Sequence, residues 1–154
     1  MTVALIDDQA LSAVLRGRTA RPLGGRKIAT TGCWYVRLCQ AALAASERTG
    51  MLSSPFANLS EPQRVRAINS LIELPDEIEL LSLRHLGPVI GRLRSRHSLN
   101  LLAAEALAAA TALEADVFLS APSPKLEVAI VAEGRRWNRL PGLGRREQEH
   151  PGPS

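Results

Sequence analysis

A single acid interrupts the most apolar helical segment of the sequence, residues 99–113, which reads LNLLAAEALAAATAL. Leu and Ala are strong helix formers, so the segment predicts a helix packed among apolar side chains. Glu105 lies in its middle, where a carboxylate loses hydration at a cost of several kcal/mol unless a partner compensates. We therefore expect Glu105 to face a cation, a hydrogen-bond donor or a water-filled cleft. A solvent-facing position on a loosely packed helix is the alternative.

A second acidic feature, Asp7 and Asp8, follows the apolar run of residues 3–6, which is typical of a buried strand. Either acid can cap the helix expected to start near Ala10, which would be a purely structural role. If this place and Glu105 meet in the fold, they form a small acidic site.

Size and composition favour one domain with an aliphatic core. The chain has 154 residues, of which 45% are hydrophobic and only 3% aromatic, which is enough for one proper core. We expect a domain over residues 1–140 and a polar, disordered tail over residues 141–154. No secretory signal or membrane span is evident, so a cytoplasmic protein is expected. Cys33 and Cys39 are interpreted as two reduced structural thiols.

The formal net charge is +4, and nearly all of the basic residues are Arg. Arg suits phosphate recognition because its planar fork matches phosphate oxygens, although the Ala, Arg, Gly and Leu preference is also typical of GC-rich genomes. Two basic groups, one in the loop of residues 16–27 and one near residue 136, are candidate nucleic-acid contacts. They comprise Arg16, Arg18, Arg21, Arg26, Lys27, Arg135, Arg136 and Arg139.

Apolar runs separated by amphipathic helical patterns predict an α/β domain with a short, mostly parallel sheet. The predicted strands are residues 3–6, 78–83, 116–120 and 136–140. Functional sites in such sheets lie beyond the carboxyl ends of the strands. Asp7 and Asp8 stand at one such end, and residues 120–123 stand at another.

Three segments together resemble a PIN domain, the fold of VapC-type toxin ribonucleases. They read ALIDDQALSAVLRG, ELPDEIELLSLRHLGPVIGRLRSRHSLN and AEALAAATALEADVFLSAPSPKLEVAIVAEG. The resemblance covers roughly residues 3–140 and implies a three-layer α/β domain with a central sheet flanked by helices. It places Asp7 at the family's first acid and Glu105 at the acid that opens a later helix.

The resemblance also implies an Mg²⁺- or Mn²⁺-dependent site, since such ribonucleases use three or four carboxylates around divalent ions. Asp7 and Glu105 are the candidate catalytic residues and metal ligands here, with Asp8 as a third candidate. The sequence departs from the family at two other acidic positions. Arg37 stands where the second acid is expected, and Pro122 or Ser123 stands where the fourth is expected.

Two carboxylates hold Mg²⁺ weakly, and an adjacent guanidinium repels it. Arg37 is therefore predicted to pair with Asp7 or Glu105 and to neutralise the site in place of a cation. No tightly bound cofactor is expected. The resemblance then implies a protein with weak or no nuclease activity that binds RNA or a protein partner, such as an antitoxin, and forms a homodimer.

Two other functions remain open. An active Mg²⁺- or Mn²⁺-dependent endoribonuclease of a toxin–antitoxin system would need Asp8, Glu114 or Asp116 to complete the site, although Asp116 begins its strand at the wrong end. A dimeric regulatory or scaffold protein would use the fold only for self-association.

Overall fold

The computed structural model describes residues 2–18, 20–44 and 60–141, and for residues 64, 67 and 70–72 it describes the backbone only. The predicted tail beyond residue 141 lies outside the described residues. The strands are β1 Val3–Ile6, β2 Lys27–Thr30, β3 Glu79–Leu80, β4 Asp116–Leu119 and β5 Trp137–Arg139. The helices are α1 Asp8–Leu15, α2 Gly32–Leu43, α3 Glu61–Ile72, α4 Leu83–Arg96, α5 Leu101–Leu113 and α6 Pro124–Ala132, and a 3-10 turn covers Arg21–Leu23.

The five strands form one parallel sheet in the order β3-β2-β1-β4-β5. The central strand β1 pairs with β2 on one side and with β4 on the other, so that Leu5 lies opposite both Ala29 and Val117. Parallel strands need helical crossovers, and the crossovers place helices on both faces. The prediction of a three-layer α/β domain with a central parallel sheet is therefore confirmed.

The sequence does not predict strand β2, because Lys27 belongs to the stretch interpreted as a basic loop. Only Ile28 and Ala29 are apolar in this four-residue strand, which is too little for a periodic signal. The segment becomes a strand by pairing with β1 and β3. The strand predicted over residues 78–83 is real but shorter, with only Glu79–Leu80 in the sheet.

Side chains of alternate strand residues point to two separate cores. Helices α4, α5 and α6 cover the core that contains Leu5, Val117 and Leu119. Helices α1, α2 and α3 cover the other core, which contains Ala4, Ile6 and Phe118. The Ala-rich helix α5 packs closely because its small side chains let neighbouring backbones approach, and residues 103–110 are all buried.

Side-chain caps define the starts of two helices. Thr31 accepts a hydrogen bond from Trp34 N at the start of α2, and Asn100 accepts one from Ala103 N at the start of α5. Cys33 and Cys39 are both free and partly buried. Within the described ranges, the helices are all too short or too polar to cross a bilayer.

Candidate functional site

The carboxyl edge of the sheet collects the polar residues that follow three neighbouring strands. Asp7 follows β1, Thr31 follows β2 and Ser120 follows β4. Because the strands are parallel, these residues stand at the same edge. The hydroxyl of Thr30 donates to Ile6 O at 3.0 Å and ties the ends of β1 and β2 together.

Asp7 is a buried carboxylate held entirely by uncharged donors. It caps α1, where its Oδ1 accepts a hydrogen bond from Ala10 N at 2.9 Å. Ser120 N donates to Oδ2 at 2.6 Å, and the Ser120 hydroxyl donates to Oδ1 at 2.9 Å. Burial raises the pKa of Asp7, and these hydrogen bonds offset only part of that effect. Asp7 is therefore both the helix cap and the link between α1 and the end of β4.

Glu105 is only 1% exposed, so the alternative of a solvent-facing carboxylate is wrong. Its Oε1 accepts a hydrogen bond from Cys33 N at 2.8 Å. Cys33 is the second residue of α2, so the carboxylate satisfies one of the free N–H groups at the positive end of that helix. Burial, and then the nearby Glu105 carboxylate, raise the pKa of the Cys33 thiol. The donor that the sequence required for Glu105 is thus a backbone amide.

Arg37 pairs with Asp8, which corrects the prediction that its partner would be Asp7 or Glu105. Its Nε lies 3.2 Å from Asp8 Oδ2, while Asp8 Oδ1 accepts a hydrogen bond from Gln9 N at 2.9 Å. Asp8 is 5% exposed, and burial raises the pKa of its carboxyl, against the effect of Arg37 and together with that of Asp7. A salt bridge does stand at this edge, but the acid that it neutralises is Asp8.

The donor set does not fit a divalent metal ion. Both oxygens of Asp7 already accept hydrogen bonds from the protein, and a guanidinium stands beside Asp8. In residues 2–18, 20–44 and 60–141, no group of three His, Cys, Asp or Glu side chains is placed to hold a metal ion. Mg²⁺ and Mn²⁺ require several oxygen ligands at a time.

The alternative ligands lie elsewhere. Asp116 is the first residue of β4, so it stands at the amino edge of the sheet. There Arg26 Nη1 lies 2.9 Å from its Oδ2, and Arg136 Nε lies 3.1 Å from its Oδ1. Glu114 ends α5 with a left-handed backbone, on the approach to that same edge. Neither residue completes the acidic site.

Most of the predicted nucleic-acid contacts are engaged within the protein. Arg26 and Arg136 share Asp116, and Lys27 pairs with Glu79 at 2.7 Å. Arg139 pairs with Glu127. Arg16 donates to Ser12 O, and Arg135 donates to Gly134 O. Arg18 also has a partner. Arg21 is exposed.

Two partners in the site were missed by sequence reasoning, although one carried a signal. Ser120 was recognised as the end of a strand, and a hydroxyl at that place is a natural donor to a neighbouring carboxylate. Cys33 acts through its backbone N–H, which every residue except proline has. Only the packing of α5 against the start of α2 selects it, so no residue pattern could have identified it.

Comparison with known proteins adds no identification, because no family model matches the chain and no curated protein matches it significantly.

Proposed function

We propose that this protein is a PIN-like RNA-binding protein with weak or no nuclease activity. The observation that carries the proposal is that each of the three acids at the carboxyl edge already has a partner within the protein. Asp7 holds Ser120 and the start of α1, Glu105 holds the start of α2, and Asp8 holds Arg37. The positions that would bind metal in an active ribonuclease of this type are used here to join structural elements.

RNA is the proposed partner because of the excess of Arg. The chain carries 19 Lys and Arg against 15 Asp and Glu, and guanidinium groups bind phosphate oxygens in a bidentate manner. A protein that neutralises several phosphates binds RNA without requiring a metal ion or a reactive group. Function by binding is consistent with an edge at which each of the three acids already has a partner within the protein.

Metal binding and RNA cleavage test the first half of the proposal. Isothermal titration of the wild type with MnCl₂ should show no tight binding. Asp7→Asn and Glu105→Gln should therefore give the same titration as the wild type. Labelled oligo(U) RNA incubated with MgCl₂ or MnCl₂ should be cleaved no faster by the wild type than by Asp7→Asn purified in the same way. Metal-dependent cleavage that is lost in both variants would overturn the proposal in favour of an active endoribonuclease.

RNA binding tests the second half. Fluorescence anisotropy with labelled oligo(U) RNA should show binding that weakens steeply between about 50 and 200 mM KCl. The Asp7→Asn variant should bind equally well, because Asp7 has a structural role. A wild type that does not bind RNA at low salt would remove this half of the proposal.

One observation favours a protein partner as the second candidate. Val128 and Val131 are 71% and 62% exposed on consecutive turns of α6. Exposed apolar pairs of this kind occur at protein contacts, although single exposed residues are common. A homodimer through α6 would appear in light scattering as twice the monomer mass, and Val128→Glu would return it to a monomer without changing RNA binding.

A further inference from the structure

The segment between Glu79 and Glu105 contains no acidic residue. It carries four Arg residues, so its formal charge of +4 equals that of the whole chain. These residues are Arg84, Arg92, Arg94 and Arg96. All four belong to α4, whose bounds are Leu83–Arg96. The net positive charge of the protein is therefore concentrated on one helix, and the formal charges in the rest of the chain cancel.

The outward side of α4 presents this charge to solvent. Leu86, Ile90 and Leu93 are buried and define the side that packs on the core. At 100° per residue, Arg84 and Arg92 project away from that side, and both are exposed. They are two turns apart, which is about 12 Å along the helix axis. Together with the exposed Pro88 between them, they form a surface that we call the α4 basic face.

Arg84 and Arg92, the two arginines of the α4 basic face, have no acidic partner among residues 2–18, 20–44 and 60–141. Arg96 differs, since its Nη1 lies 2.7 Å from Glu133 Oε1, and Arg94 donates to Leu99 O at 3.3 Å. A guanidinium without a carboxylate can bind a phosphate without first breaking an existing pair.

The loop that the sequence favoured is different in this respect. Arg26 and Lys27 are both paired with carboxylates, at 2.9 Å and 2.7 Å. Each of these cations already has a carboxylate partner, with which a phosphate would have to compete. The amino edge of the sheet is therefore a poorer phosphate surface than α4, despite its larger number of basic residues.

We propose that the RNA phosphodiester backbone binds on the α4 basic face, with Arg84 and Arg92 as its main contacts. This inference rests on the proposed RNA binding. The segment holds no Phe, Tyr or Trp, so the bases have none of these large rings on which to stack. Contacts are made to phosphates, which are the same in every sequence. Binding on this face is therefore independent of base sequence and strongly dependent on salt.

The test compares three double variants that each remove two positive charges. Arg84→Gln/Arg92→Gln should weaken binding of labelled oligo(U) RNA by about tenfold or more at low salt. Its slope of log affinity against log salt should be shallower by about 1.4, since each phosphate contact on a single strand contributes about 0.7. Arg66→Gln/Lys125→Gln changes exposed residues on other helices and should bind nearly as well as the wild type.

The third variant, Arg18→Gln/Arg21→Gln, tests the loop directly. If it loses the affinity while Arg84→Gln/Arg92→Gln keeps it, the α4 basic face is not the contact surface and the RNA-binding proposal survives. Equal losses in all three variants would mean that only total charge matters, which also overturns the inference. A wild type that fails to bind RNA would overturn the RNA-binding proposal itself. Thermal unfolding of each variant separates lost binding from lost folding.

Discussion

Each edge of the sheet covers one carboxylate almost completely, and the pKa values of these two carboxylates shift in opposite directions. Asp116 at the amino edge is 6% exposed, and Asp7 at the carboxyl edge is 5% exposed. Burial opposes ionisation in both, but hydrogen bonds from Arg26 and Arg136 outweigh it and lower the pKa of Asp116. The donors to Asp7 are uncharged, and the pKa of Asp7 stays raised.

Two causes separate the carboxylates: Asp7 lies deeper among protein atoms than Asp116, and Asp116 has charged donors. Hydrogen bonds to charged donors are roughly twice as strong as those to neutral donors, and a guanidinium adds a Coulomb attraction that an amide lacks. The amino edge is therefore an ion-paired clamp between β2, β4 and β5. At the carboxyl edge, Asp7 and Glu105 are held by amides and a hydroxyl, and the Arg37–Asp8 salt bridge lies beside them.

Glu105→Ala should have the largest effect on stability. It removes a fully buried side chain and leaves Cys33 N–H without its acceptor, so we expect the free energy of unfolding to fall by about 2–4 kcal/mol. Urea denaturation followed by circular dichroism measures this. Glu105→Gln keeps an acceptor for Cys33 N and should lose less than about 1 kcal/mol. An Ala variant as stable as the wild type would mean that desolvation of the carboxylate cancels its hydrogen bond.

Asp7→Ala should come next, because it removes the cap of α1 and the acceptor of Ser120 N together. Loss of the cap and an unpaired amide predict a decrease of about 2–3 kcal/mol. Asp7→Asn keeps a capping oxygen and should be milder. Ser120→Ala in the Asp7→Ala background should add almost nothing, because the two residues act as a pair. Additive losses would contradict the coupling between β1 and β4.

The acid dependence of stability separates the two edges. The pKa of Asp116 is lowered, so its contribution is present above the unfolded value of 3.8 and is lost as pH falls through the folded pKa. Asp116→Asn should lose about 1–2 kcal/mol at neutral pH and show a flatter decline in acid. The midpoints of thermal unfolding, measured from neutral pH down through the folded pKa of Asp116, give this decline. Asp7→Asn is the matched variant, and it should not flatten the decline because the pKa of Asp7 is raised. A decline as steep as that of the wild type would exclude Asp116 as its source.

Local signals made most of the fold predictable. The caps Thr31 and Asn100 act on residues three positions away, so their effect is contained in a short window of sequence. The position of Asp7 after an apolar strand also predicted an edge location correctly. The strand β2 was missed because its identity comes from neighbours that are distant in the chain.

The partners of the charged residues could not be predicted for a similar reason. Arg26 and Asp116 are 90 residues apart in sequence, and only the order of β2, β1 and β4 brings them to one edge. Asp7 and Asp8 are adjacent, and which of them meets Arg37 depends on the rotation of α1 against α2. Sequence patterns identify the two acids and the cation, but they do not determine which of two adjacent acids faces that cation.

Arg37→Gln should have the smallest effect and gives the sharpest test of the Arg37–Asp8 salt bridge. Its side chain is 54% exposed, so solvent screens the pair and the loss at neutral pH should stay below about 1 kcal/mol. The pKa of Asp8 is raised, so its contribution is full below 3.8 and is lost as pH rises through the folded pKa. Without Arg37 the pKa of Asp8 would be higher still, so more stability would be lost as the pH rises. The Arg37→Gln effect should therefore increase towards neutral pH in thermal unfolding and disappear in an Asp8→Asn background. An effect of equal size in both backgrounds would mean that Arg37 acts through packing of its aliphatic stem on α2 rather than through Asp8.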